Sequence, residues 1–481
     1  MTEQNIQSDR LSRHAPQVKK VRDFVAGENA VKAALDLYMP VPSVGMDPRG
    51  QPFKNFLRRT SFFPAAARVL DGCLSLVFQE DPVLVSPTVS VIKDSITYDM
   101  ESIELYSEKL ISETLQTNYT MIGVDAPSEA DKPANLNGAN AIDLGYHPFL
   151  VLYPFEAILD HGVGRVGGKQ VFNYMKLSDG ENAYRELRLI NGIYTVTIYE
   201  REDGKGEYKV RTVVPTRDGK PLDFIPFKLV TTKKKDRWPS KSLLDDVVNV
   251  NCNHYILEGD HASALFNCAG PQKVVVNPAQ RKDEEGNPIP NVYPAGSDHI
   301  WEIHGAGGEG QQAGVHFLEF SGTSVVAIRE QLKELKSQMS ALGSRILQDE
   351  KAAPEAAEAL AIRRTSENAA IVTLTNSVAK DMEEVLRWLS WWMGAASKND
   401  PETRFTLNVD LVPAKLTPQE VTEIRNLKAA GLYTEKEAFY ALRAGGWQDD
   451  TLKWEAHKAE IDAEVIDLPL ALPSTSDTGA E

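Results

Sequence analysis

Apolar residues recur at helical spacing in several separate stretches of the chain. Ala66, Val69, Leu70, Cys73, Leu76 and Val77 step by threes and fours behind Pro64, which suits the first turn of a helix, and the pattern stops at Asp81-Pro82. Ile103, Leu110 and Ile111, set among charged positions, predict a second amphipathic helix over 99–115. Between 148 and 232 the period falls to two. Phe149 to Tyr153 is a short apolar run, Tyr194, Val196 and Ile198 alternate with Thr195 and Thr197, and Asp203-Gly204 and Asp218-Gly219 are turn signals. A hairpin-built antiparallel sheet is expected there.

Helical spacing returns at Pro239-Ser240 and runs through Leu243, Val247, Val250 and Tyr255 to about Phe266. A stretch rich in Gly and Pro follows, 267–319, with short strands expected at Lys273 to Val276 and Ile300 to Ile303. Val325, Ile328, Leu332, Leu335, Met339, Leu342 and Ile346 then form one apolar stripe over three heptads, which predicts a helix packed against neighbouring helices. Ile371, Leu374, Val378, Met382, Val385 and Leu389 predict a further helix over 366–393, ending in Trp388, Trp391 and Trp392. Two long helices therefore bracket a small β insert, and a third follows a linker, 348–365, rich in Ala and Glu and interrupted by Pro354.

The ends read differently. Pro40, Pro42, Pro48 and Pro52 break up the first 55 residues, leaving an arm with one short helix near Val21 to Leu37. Near the C-terminus, Thr417-Pro418-Gln419-Glu420 and Thr434 with Glu437 are capping boxes, with Gly431 and Gly445 as stops, so a helical hairpin is expected. The tail beyond Ile466 reads as disordered.

Composition narrows the class. The 481 residues are 42% hydrophobic and 25% charged, as in an ordinary folded protein of about three structural units. A formal net charge of −16 argues against a protein that holds nucleic acid by neutralising phosphates. The three cysteines, Cys73, Cys252 and Cys268, form no C-x-x-C pair and point to a reducing compartment. No signal-peptide core and no run of about eighteen apolar residues is present, so neither export nor a membrane span is expected.

Candidate chemistry is sparse. Gly162, Gly164 and Gly167, and again Gly305, Gly307 and Gly310, satisfy G-x-G-x-x-G, but strand-like sequence follows each where a dinucleotide site needs a helix, so both read as flexible loops. There is no G-x-x-x-x-G-K-[ST] phosphate loop and no G-x-S-x-G nucleophile elbow. The nine histidines are scattered, and His254 with His261 lacks i, i+4 spacing. No catalytic residue, cofactor site or metal site is predicted. The run Lys233-Lys234-Lys235-Asp236-Arg237 reads first as a solvated turn, and the Trp cluster as core or subunit contact.

The order of parts carries more than any motif. Leu74-Ser-Leu-Val-Phe-Gln-Glu-Asp-Pro82 is followed by Tyr146-His-Pro-Phe-Leu-Val-Leu-Tyr-Pro154, Ile225-Pro-Phe227 and a long helix. Then come Phe317-Leu-Glu-Phe-Ser-Gly322 with its heptad helix, the helix through Ser377 and Trp388, and the capped hairpin. Over roughly 20–450 this succession resembles the portal proteins of tailed bacteriophages, in particular a divergent branch catalogued as a domain of unknown function.

The resemblance implies an α+β fold with a β-rich wing, long stem and tunnel helices, a small β clip and a helical crown. Carried onto this chain it gives an N-terminal arm (1–55), wing (56–239), stem helix (240–266), clip (267–319) and second stem helix (320–347). A tunnel loop (348–365), a tunnel helix with wing return (366–415), a crown (416–460) and a disordered tail (461–481) complete it. It further implies a non-enzymatic ring, usually dodecameric, at one capsid vertex of the virion, assembled in the host cytoplasm and conducting double-stranded DNA during packaging and ejection. Implied partners are other copies of the chain, the terminase large subunit, the major capsid and scaffolding proteins, and the neck or adaptor proteins. No cofactor, metal or membrane is implied. Lys351, Arg363 and Arg364, at the edges of the tunnel loop, would be weak phosphate contacts, or else pair with Glu350, Glu355 and Glu358 on a helical surface. Another virion assembly protein, such as a neck adaptor or scaffold, and a nucleotide-binding enzyme are the rival readings.

Overall fold

The computed structural model describes residues 6–127, 132–136, 140–166, 168–202, 206–232, 238–268, 272–276, 281–289, 300–303, 314–318, 322–343, 357–409, 418–444, 447, 454–455 and 457–459. Helix and sheet are mixed, in two compact units, 1–409 and 410–481.

The first unit opens with short helices where a single one is expected: α1 (Asp9–Ser12), α2 (Ala15–Ala26), α3 (Glu28–Ala33) and α4 (Gln51–Arg59). Gly27, at φ +95°, separates α2 from α3. Pro16 and Pro52 sit in the first turns of α2 and α4, where a missing N–H costs nothing, so Pro52 starts a helix rather than breaking one, while Pro40, Pro42 and Pro48 lie outside the helices as expected. Next come α5 (Ala65–Val77), β1 (Val83–Val85) and α6 (Ile103–Thr117), so the two predicted helices are present with a short strand between them. Ser102 caps α6 by accepting from Leu105 N–H, and Asn118 ends it in the left-handed conformation.

Two sheets follow. β2 (Thr120–Asp125), β3 (Phe149–Tyr153) and β11 (Phe227–Val230) form a three-stranded antiparallel sheet in the order β11-β2-β3. Between them in sequence, β4 (Ile158–Val166), β5 (Lys169–Ser178), β6 (Ala183–Ile190), β7 (Ile193–Glu200) and β8 (Lys209–Val213) form an antiparallel meander. Asn191-Gly192, with φ +51° and +81°, makes the two-residue turn between β6 and β7. Asp218-Gly219 likewise joins β9 (Thr216–Arg217) to β10 (Lys220–Pro221). Met121, Tyr153 and Phe227 from the smaller sheet share one buried cluster with Met175, Leu187 and Val196 from the meander, closed by Leu11 and Val18 of the N-terminal helices. Helix α6 also lies against β2.

Of the first glycine run, Gly162 and Gly164 are strand rather than loop, and Gly167 lies outside the described residues. Gly162 and Gly164 lie within β4, which shifts register between Gly162 and Val163, and a Cβ on Gly164 would come within 2.7 Å of Asn173. The second run, Gly305 to Gly310, lies outside the described residues.

In the second unit α10 (Pro418–Ala429) and α11 (Glu435–Ala444) form the expected hairpin. Leu432 N–H donates to Leu427 O and Gly431 N–H to Lys428 O, with Gly431 at φ +72°. The Thr434–Glu437 box is reciprocal: Glu437 N–H donates to Thr434 Oγ1 at 3.2 Å and Thr434 N–H to Glu437 Oε2 at 2.8 Å. Thr417, Gly445 and the tail beyond Ile466 lie outside the described residues.

Candidate functional site: a helix pair, its β insert and a long third helix

Helix α7 spans Asp245–Cys268 and α8 spans Thr323–Gly343, and the two pack along each other. The sequence reading starts α7 five residues early. Asn118 Nδ2 instead holds Ser240 Oγ and Lys241 O outside the helix, and Ser242 donates from both N and Oγ to the Asp245 carboxylate at its start.

The base of α7 is fixed to the N-terminal helices by polar and steric means. Asn251, fully buried, donates to Phe63 O at 3.0 Å and accepts from Ala66 N–H at 3.3 Å. Gly259 allows Met39 and Phe56 close: a Cβ there would meet both at 2.9 Å. On α8, Leu332, Leu335 and Met339 are buried, Val325 and Ile328 are half-buried, and Leu342 is 49% exposed. Over its described positions the predicted stripe is thus core only from Leu332 to Met339, and Ile346 lies outside the described residues.

Two histidines that looked unrelated in sequence flank one carboxylate. His254 Nε2 is 3.8 Å from Glu258 Oε1 and His261 Nδ1 is 3.7 Å from Glu258 Oε2, because i, i+4 and i+7 share a helix face. His254 is fully buried against the Phe63 ring, and burial together with nearby Lys336 lowers its pKa to about 4. Among the described residues no group of three His, Cys, Asp or Glu side chains could hold a metal ion. No helix among them is long and apolar enough to cross a membrane.

The insert between the two helices contains a three-stranded sheet of β12 (Gln272–Val276), β15 (Ile300–Ile303) and β16 (Gly314–Leu318). β12 is central, parallel to β15 and antiparallel to β16. A separate hairpin, β13 (Arg281–Lys282) with β14 (Pro288–Ile289), closes on Asp283. That carboxylate accepts the N–H groups of Glu285 and Asn287, which hold its pKa below the ordinary value. β12, β15 and β16 sit where the sequence reading expects strands, whereas the β13–β14 hairpin was not foreseen.

Helix α9, Ala357–Trp392, has 36 residues and so spans about 54 Å. It begins nine residues before the expected start, since Ala357-Glu358-Ala359-Leu360-Ala361 are strong helix formers. Residues 357–365 are therefore helix, not loop. All six positions of its predicted stripe, Ile371 to Leu389, are buried. Lys228 of β11 is bonded to Glu384 and lies 3.8 Å from Asp381. Ser377 Oγ donates to Thr231 O, and Glu383 accepts from Phe405 N–H of β17 (Arg404–Thr406), which pairs antiparallel with β1.

The three tryptophans pack onto the sheets. Trp388 and Trp391 contact the Phe224 ring at 5.5 and 5.8 Å, and Trp392 Nε1 donates to Thr216 O. Lys228 and its carboxylates escaped the sequence reading. Their signal was a lone lysine in the apolar run Phe227-Lys-Leu-Val230 and two acids at i, i+3 beside the α9 stripe.

Of the predicted phosphate contacts, Lys351 lies outside the described residues. Arg363 and Arg364 fall within α9, and their side chains lie outside the described set. The basic run 233–237 is also outside it.

A helix pair rooted in the N-terminal core, with a small sheet between its two helices in sequence, thus precedes a long helix packed along its C-terminal half. A family model described as "Domain of unknown function (DUF4055)" matches residues 243–393, from the start of α7 to the end of α9. No curated protein matches the chain. Among solved structures, the chain is similar to one from the virion of a native gene transfer agent (GTA) particle, at 13% identity and a TM-score of 0.39, over 87% of this chain and 98% of that one. It is also similar to a chain from the neck of a native GTA particle computed with C12 symmetry, at 12% identity and a TM-score of 0.37, over 80% and 92%. A chain from the neck of an empty GTA particle gives 12% identity and a TM-score of 0.38, over 84% and 95%.

Proposed function

We propose that this chain is the subunit of a bacteriophage portal, a homo-oligomeric ring at one capsid vertex that conducts double-stranded DNA in packaging and ejection. The observation that supports this most is the order of elements: sheets, long helix, small β insert, long helix, then a 36-residue helix whose end returns to β1 through β17. In this reading α7 and α8 are the stem, the insert is the clip that seats the terminase and later the neck proteins, and α10 with α11 is the crown. The chain is non-enzymatic, and the energy for packaging comes from the partner ATPase, in keeping with a sequence that has no phosphate loop. Identical copies close head to tail into a ring when the rotation between neighbours closes.

The net charge of −16 per copy suits a conduit, because each neutralised phosphate adds affinity and a passage must not grip its duplex. Electron microscopy and native mass measurement of the purified full chain test the proposal. Annular particles with a central bore are expected, probed from dilute to concentrated protein; monomers alone at the highest concentration overturn it.

A further inference from the structure

A cavity of about 350 Å³ opens between the meander, the 223–231 segment and α9. That volume lies within the range of pockets that hold small organic molecules. The walls are apolar and largely aromatic, formed by Phe172, Leu189, Phe224, Phe227 and Trp388. Charge enters through Asp223, Asp381 and Glu384, set against Lys228, which is bonded to Glu384, and Lys398, which is bonded to Asp223, so the carboxylates exceed the ammoniums by one.

The rim already shows which ligand chemistry the walls accept. Lys398 pairs with Asp223 and holds its ammonium 4.4 Å from the centre of the Phe224 ring and 5.1 Å from that of Trp391. Ring faces attract cations, and a carboxylate excess repels anions. A charge taken from water must be paired, whereas the aromatic wall needs an apolar partner, so a ligand with one charged end and one apolar end satisfies both. We infer that this cavity binds a small organic amine, its ammonium at the Asp381–Glu384 end and its apolar body against the aromatic wall. This does not depend on whether the chain forms a ring.

Calorimetric titration of the full chain at pH 7 with phenethylamine tests it, with 3-phenylpropan-1-ol and 3-phenylpropionate as neutral and anionic probes of similar size. Saturable binding of the amine is expected, with both other probes about tenfold weaker or worse, since a charge-assisted contact is lost. Glu384→Gln, at a half-exposed position, should weaken the amine by about tenfold and leave the alcohol unchanged. Leu189→Trp should fill the cavity and abolish binding; Gln170→Trp, at an exposed wall position, does so without touching the core. No heat with millimolar amine, equal binding of alcohol and amine, or binding that survives in the folded Gln170→Trp chain would overturn the inference.

Discussion

The hydroxyls of Ser86 and Thr403 lie 3.0 Å apart across 317 residues of sequence. Thr403 Oγ1 donates to Asp400 Oδ2 at 2.6 Å, so Ser86 donates to Thr403 and in turn accepts from Val89 N–H. Ser390, near the end of α9, donates to the same Asp400 oxygen at 3.0 Å. This chain of bonds runs beside the β1–β17 pair and fastens the end of α9 to the first strand.

Asp400→Ala removes the common acceptor and leaves the buried hydroxyls of Ser390 and Thr403 without it. A loss of about 1–3 kcal/mol is expected, read as a lower urea midpoint of the full chain. Thr403, Ser390 and Glu402 N–H hold the Asp400 pKa below its ordinary value, so this stability is present above the unfolded pKa and lost as pH falls through the folded one. An unchanged midpoint in the variant at pH 7 would show that the clasp contributes nothing.

His254 predicts a second pH dependence, at higher pH. Its folded pKa of about 4 lies below the usual 6.5, so the unfolded chain takes up the proton first. The groups facing it are Glu258 on α7, Lys336 on α8 and the Phe63 ring, and Glu258 at 3.8 Å does not offset burial. Stability is complete above about pH 6.5 and falls by up to about 1.4 kcal/mol per pH unit down to about pH 4. His254→Leu should flatten that segment of the midpoint-against-pH curve. A variant curve parallel to the parent's places the titration elsewhere.

Gly123 on β2 meets Phe227 on β11 face to face: a Cβ would lie 2.5 Å from the ring. Phe227 is buried in the cluster shared by the two sheets, so its ring can yield only by leaving those neighbours for the cavity it also lines. Gly123→Ala should therefore cost about 1–3 kcal/mol by overpacking, and most of that cost should vanish in a Phe227→Leu background. Equal penalties in both backgrounds would mean that the ring is not the cause, since the entropy term of Gly→Ala alone favours the folded chain.

Sequence pattern revealed these elements wherever one face is buried along its whole length. Every position of the Ile371–Leu389 stripe is core, and the three-stranded sheet of the insert lies where the apolar runs lie. The α8 stripe was legible as a helix but overstated as core, since periodicity reports amphipathicity and not which turns have a neighbour. Asp218-Gly219 was readable as a hairpin turn, whereas the Gly162–Gly164 strand was not, because glycine in a bulged strand looks the same as glycine in a loop. Lys228 with Asp381 and Glu384, and the Ser86–Thr403–Asp400 chain, join residues more than 150 positions apart or across the strand return, which no local period records.

The start of α9 at Ala357 changes how the segment proposed as a tunnel loop should be probed. A deletion running to Leu360 cuts into the helix, so the discriminating deletion is 350–356, with Arg363→Ala and Arg364→Ala added to it in a second variant. If the chain forms the proposed ring, both should still assemble annular particles while retention of packaged DNA falls. If Lys351, Arg363 and Arg364 contact phosphates, each replaced contact should lower the slope of log affinity against log salt by about 1 in a duplex-binding assay. Rings that form but show an unchanged salt slope would mean that these residues pair with Glu350, Glu355 and Glu358 instead. Loss of the ring itself would move this segment from the bore to the contact between subunits, because a loop that only lines a channel is not needed to close it.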